Sequence, residues 1–189
     1  MRIGIFGGSF NPIHNGHIAL GTTMLSAMSL DEVWYIVSPQ NPLKKTATDL
    51  LDEDIRLHLA KLALEEHSSL KASDYEFRLP RPSYTWDTLQ CLKRDFPHDD
   101  FVLIIGGDNL KKFHKWAHHE DILANYEIAV YPRGNESYDL DHENIHIVNV
   151  PLIDISSTMI REKIRKGEDI SNLVPPKVAS EVAKKSLYR

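Results

Sequence analysis

The sequence predicts an α/β fold, a doubly wound and mostly parallel sheet with helices on both faces. Three observations predict it. Short apolar runs of strand length recur at residues 2–6, 33–37, 101–105, 127–131 and 145–150. Stretches with helical spacing of apolar residues separate most of them, as crossover connections between parallel strands require. Glycines sit where two of these runs end, and the carboxyl ends of strands are where such sheets bind ligands.

Taken in order, the first run is followed at once by Gly7-Gly8, and residues 15–28 then carry Ile18, Leu20, Met24, Leu25 and Met28 near helical spacing. VWYIV at 33–37 is a second buried strand, and residues 38–48 are a loop with two prolines and two lysines. Residues 54–66 form an amphipathic helix with Ile55, Leu59, Leu62 and Ala63 on one face. After Pro82, SYTWDTLQCLKRDF opens with capping candidates and continues as a helix. FVLII at 101–105 is the strongest strand signal and ends in Gly106-Gly107-Asp108. A broken helical stretch over 109–125 leads to the strand at 127–131. A hydrophilic connection at 134–143 precedes the last strand, and helices over 157–166 and 177–185 close the chain.

The bulk composition bounds the function. With 189 residues the chain can bury a proper core, and no linker or repeat divides it, so one domain over 1–189 is expected. The net charge of −5 does not suggest nucleic-acid binding. A single cysteine, Cys91, excludes an intrachain disulfide and a multi-cysteine zinc site. The first residues lack the layout of a signal peptide, and no apolar stretch reaches the roughly 20 residues that span a bilayer. A cytoplasmic protein is expected.

The chemistry concentrates in GGSFNPIHNGH, residues 7–17. Gly7 and Gly8 let the backbone turn and approach a ligand closely. His14 and His17 share a face if a helix starts near Asn15. The N–H groups of that first turn, together with the helix dipole, would form an anion site, and two imidazoles could donate to phosphate oxygens. A metal site lacks a third ligand nearby, and a plain glycine turn with surface histidines accounts for the same residues. Near the other end, ISSTMIR at 155–161 places Ser156 or Ser157 as a cap and Arg161 one turn later. Hydroxyls, amides and a guanidinium make a phosphate clamp, and a capped helix with a solvated arginine is the plainer alternative. Lys44, in the loop after the second strand, could close over a triphosphate.

GGSFNPIHNGH resembles the HxGH signature of the nucleotidylyltransferase superfamily, G-x-F-[DN]-P-x-H-x-G-H, and ISSTMIR resembles its I-S-S-T-x-I-R. Within it, SYTWDT at 83–88, Gly106–Asp108 and Lys115-Trp116 resemble the S-Y-T-x-D-T, G-x-D and K-W of the nicotinate-nucleotide adenylyltransferases. The resemblance runs over almost the whole chain. It implies a Rossmann-like fold and transfer of AMP from ATP to nicotinate mononucleotide.

By this resemblance His14, His17, Lys44 and Arg161 are catalytic. Gly7, Gly8, Ser9, Phe10, Asn11, Ser156 and Ser157 bind ATP and its phosphates. Tyr84, Thr85, Gly106, Asp108 and Trp116 bind the acceptor: Trp116 stacks on the pyridine, amides near Thr85 receive the carboxylate, and Asp108 faces the nucleotide. Asn11 stands where many members carry Asp. Mg²⁺ is implied as travelling with ATP without dedicated protein ligands. A homodimer is the assembly the family offers, with no apolar stripe in the sequence to mark its interface. Nicotinamide mononucleotide or pantetheine phosphate as acceptor, and a catalytically silent nucleotide-binding regulator, are the alternatives.

Overall fold

A computed structural model describes residues 1–39 and 49–189. Among these residues six strands form one sheet in the order β3-β2-β1-β4-β5-β6, and every pairing is parallel. They are β1 (Arg2–Gly8), β2 (Glu32–Val37), β3 (Leu70–Ser73), β4 (Asp100–Gly106), β5 (Glu127–Tyr131) and β6 (Ile145–Ile147). The α-helices are α1 (Asn15–Ala27), α2 (Glu53–Leu64), α3 (Thr85–Asp95), α4 (Gly107–Lys111), α5 (His119–Asn125), α6 (Ser157–Arg165) and α7 (Pro176–Lys184). Five strands are those expected. β3 is an addition: LKAS is too short and too polar to stand out, and its pairing with β2 makes it a strand.

Two apolar layers cover the sheet. Ile18, Leu20 and Met24 of α1, Leu59 and Ala60 of α2, Ile160 of α6 and Val178 of α7 pack in one. Leu89 and Leu92 of α3 and Ile122 of α5 pack in the other, with Ile3, Ile5 and Leu103. Each such fully buried side chain contributes about 1.5–3 kcal/mol against exposure. Both faces are covered, so the central strands read as continuous apolar runs rather than alternations.

The sheet order reverses between β1 and β4, which pair directly through Ile3↔Phe101 and Phe6↔Ile104. The loops leaving these strands diverge to opposite faces and open a crevice at their carboxyl ends, the switch point where doubly wound sheets bind ligands. No helix among the described residues is long and apolar enough to cross a membrane.

Candidate active site

The loop after β1 is the centre of the site. Phe10 takes a left-handed φ of 46°, and its ring packs edge-on against Phe6 at 5.4 Å and His17 at 5.1 Å between centroids. A side chain on Gly8 would press on the Phe10 ring, whereas one on Gly7 would project into open space. That space is a cavity of about 200 Å³ whose lining includes Gly7, Gly8, Ser9, Tyr84, Thr85 and Trp116, with Glu76, Ser83, Lys115 and Tyr131 also in the wall. Five separate chain segments named in the sequence thus reduce to two neighbouring places, this cavity and the histidine cluster beyond the loop.

His14 and His17 stack with centroids 3.6 Å apart. They cap α1 reciprocally: the Gly16 N–H donates to His14 Nδ1 and the His14 N–H donates to His17 Nδ1, each at 3.1 Å. This differs from the expected free helix terminus. The Gly16 N–H is taken by the imidazole, and the Asn15 N–H donates to the Leu173 carbonyl at 2.9 Å. Burial, reinforced by the positive charge of Arg133, lowers His14 to about 4. Burial, then His14 and Arg133, holds His17 well below its ordinary value. Both rings are therefore neutral near pH 7. With Nδ1 accepting, the ring proton sits on Nε2, so each ring offers one fixed N–H donor. Arg133, exposed just beyond β5, adds a cation beside them that the sequence patterns did not single out.

Asn11 and Arg161 turn inward. The Asn11 Oδ1 accepts from the Tyr188 hydroxyl at 2.8 Å and from the Leu51 N–H at 3.3 Å, and its Nδ2 donates to the Asp49 carbonyl at 2.9 Å. A carboxylate at this position could not make the last bond, which is a physical reason for the amide. Arg161 Nη1 donates to the Asn11 carbonyl at 2.8 Å and Nη2 to Thr158 Oγ1 at 3.3 Å. Its Nε is buried without a partner among the described residues. The Ser157 hydroxyl donates to the Pro12 carbonyl at 2.9 Å, and Ser156 caps α6 by accepting from the Met159 N–H. ISSTMIR is thus a bracket for the loop after β1 as well as a helix start.

Arg56 was not visible as a site residue, yet it is 1% exposed and supports the same loop. Its guanidinium donates to the carbonyls of Leu51, Ser9 and Ser38 at 2.7–2.8 Å and of Pro39 at 3.4 Å. Lys44 lies outside the described residues. Gly106 ends β4 and Asp108 is exposed in the first turn of α4; neither lines the cavity, which the neighbouring Ile105 and Asn109 do.

On the cavity's far wall, Tyr84 caps α3 with no side-chain hydrogen bond to the helix. The Ser83 hydroxyl and the Trp116 indole Nε1 are both buried and have no partner among the described residues. Glu76 accepts from Thr88 Oγ1 at 2.8 Å, and burial pushes its carboxyl up to about 7. Such a wall offers N–H and O–H donors around an apolar slot, the surroundings that suit a planar ring bearing an anionic group.

The family model described as cytidylyltransferase-like matches residues 5–163. A probable nicotinate-nucleotide adenylyltransferase of Flavobacterium psychrophilum is 47% identical over 193 residues, covering all of both chains. One of Bacteroides fragilis is 46% identical over 179 residues, covering 94% of this chain and 89% of that one. The nicotinic acid mononucleotide adenylyltransferase of Plasmodium falciparum, solved in complex with NaAD, aligns with a TM-score of 0.78 over 99% of this chain and 97% of that chain. At 21% identity that likeness shows the fold. With both signatures at one switch point and the full-length match to bacterial relatives, the chain belongs to the nicotinate-nucleotide adenylyltransferases of the cytidylyltransferase-like family.

Proposed function

We propose that residues 1–189 act as one nucleotidylyltransferase domain that transfers AMP from ATP to nicotinate mononucleotide, giving nicotinate adenine dinucleotide and pyrophosphate. The 5′-phosphate of the acceptor attacks the α-phosphorus in line. One P–O bond forms, and the bond to the β-phosphate breaks. The nucleophile is already an anion, so no general base is required. The work is positioning and charge stabilisation.

In this reading Gly7–Asn11, Ser156 and Ser157 shape the phosphate path, with Gly7 leaving room for the ligand. His14 and His17 donate Nε2–H to phosphate oxygens. Arg161 and Lys44 offset triphosphate charge, and Arg133 joins them. Tyr84, Thr85 and Trp116 hold nicotinate, while Gly106 and Asp108 border the nucleotide. The donors facing the phosphate site are imidazole N–H and guanidinium groups, which suit phosphate oxygens and not a cation. Mg²⁺ accordingly enters bound to ATP, through phosphate oxygens and water. The setting is cytoplasmic and the assembly a homodimer. The acidic balance of the chain speaks against a nucleic-acid partner.

One observation carries the choice of acceptor: the α3 terminus, whose Tyr84 and Thr85 line the cavity, lacks a side-chain cap and so leaves its first N–H groups as donors. A carboxylate accepts from such donors at both oxygens, whereas a carboxamide would turn an NH₂ towards them. Pyrophosphate release with ATP is therefore expected to favour nicotinate over nicotinamide mononucleotide by about 10²-fold in kcat/KM. Equal rates would overturn the acceptor assignment. ATP binding without pyrophosphate release from any acceptor would overturn the reaction.

A further inference from the structure

We propose that Tyr188, the penultimate residue, is a positioning residue for adenylyl transfer: its hydroxyl fixes the Asn11 amide and thereby the loop that leads into His14 and His17. The proposal rests on the reading of that loop as the phosphate site.

Tyr188 takes a left-handed φ of 63° just beyond α7 and is buried in the apolar cluster to which Phe6, Phe10, Ile13 and Ile160 also belong. The chain end is thereby packed into the same apolar cluster that supports the Phe10 turn. Burial pushes the phenol far up, against the opposing charges of Arg161 and Arg56, so the hydroxyl remains a donor at any working pH. It gives Asn11 Oδ1 its shorter bond, at 2.8 Å, and the Leu51 N–H at 3.3 Å is the other. Without the hydroxyl, a buried acceptor keeps only the longer bond.

Asn11 is where the supports meet. Its carbonyl is held by Arg161, its Nδ2 by the Asp49 carbonyl, and its Oδ1 by Tyr188. It lies three residues before His14, whose N–H and Nδ1 set the orientation of the imidazole pair. Tyr188 does not line the acceptor cavity. Its influence must pass through Asn11, not through contact with substrate.

Tyr188→Phe removes one oxygen and keeps the ring. The variant is expected to lose about tenfold in kcat, with KM for the acceptor within about twofold and a thermal midpoint lowered by only about 2–4 °C. A wild-type kcat with a lowered midpoint would reduce Tyr188 to a structural residue and overturn the proposal. In a double-mutant cycle, Tyr188→Phe in an Asn11→Ala background is expected to cost no further rate, because the acceptor is gone. Independent, additive losses would also overturn it. The imidazole ¹⁵N and ¹H signals of His14 and His17 are expected to shift in Tyr188→Phe, and unchanged signals would count against it. These signals need no turnover, so they separate a failure here from a failure of the assigned reaction.

Discussion

At the scale of the residue, each imidazole of the pair commits one nitrogen to the fold and keeps the other as a donor. Nδ1 of His14 and of His17 accepts a backbone N–H of the α1 cap, which leaves Nε2–H as the outward donor. Low basicity serves this arrangement, since a protonated ring would lose the Nδ1 lone pair that caps the helix. Two functions in one ring make a clean truncation impossible. His17→Ala is expected to lower kcat by about 10²–10³-fold and to cost about 1 kcal/mol of stability through the lost cap. Steady-state turnover with urea unfolding measures both, and near-normal turnover in the folded variant would remove His17 from the mechanism. Residue types made this part legible in the sequence, because glycines, histidines and their spacing lie within eleven consecutive positions. The free helix terminus expected there was not legible in its final form. Which atom satisfies the Asn15 N–H depends on Leu173, distant in the chain.

At the scale of the element, loops are held by guanidinium groups. Arg56 on α2 reaches the exits of both β1 and β2 through carbonyl oxygens, and Arg161 on α6 reaches the β1 exit two residues further on, at Asn11. Arg56→Met keeps much of the apolar volume but orphans these carbonyls. A loss of roughly 3 kcal/mol or more in urea unfolding is expected, together with reduced turnover. Unchanged stability would mean that water replaces the guanidinium without cost. Packing at α1 follows a similar logic of close approach. The Tyr35 hydroxyl donates to the His17 carbonyl at 2.7 Å, and a side chain on Gly21 would overlap that hydroxyl. The strands and long helices were readable from periodicity, whereas β3 depends on its neighbour and Arg56, Glu76, Arg133 and Tyr188 depend on proximity in space. A lone arginine inside an amphipathic helix reads as solvated until the fold surrounds it.

At the scale of the whole molecule, two buried groups give opposite dependences of stability on pH. Glu76 is raised from 4.5 to about 7, so between these values the native state binds more protons than the unfolded one. Its contribution is full below 4.5 and is lost as pH rises through 7. His14 is lowered from 6.5 to about 4, so its contribution is full above 6.5 and is lost as pH falls through 4. The windows of Glu76 and His14 overlap and largely cancel, and His17, lowered like His14, leaves a net loss of stability towards acid. Glu76→Gln stays neutral throughout. It is expected to be more stable than the wild type at pH 8 by about 2–3 kcal/mol, with the gap nearly closed at pH 5. Urea unfolding at several pH values checks this, and parallel profiles would refute it. The guanidinium supports have a consequence for how this molecule can change. Arg56 and Arg161 recognise main-chain carbonyls, which every amino acid supplies. At Ser9 the path of the loop is therefore specified independently of the side chain, whereas at Asn11 the amide side chain takes part in it. Ser9, held by its carbonyl while it lines the cavity, can be exchanged without disturbing its tether. The side chain at such a position is an interchangeable part mounted on a fixed main-chain frame, and divergence or laboratory selection can retune the one while inheriting the other.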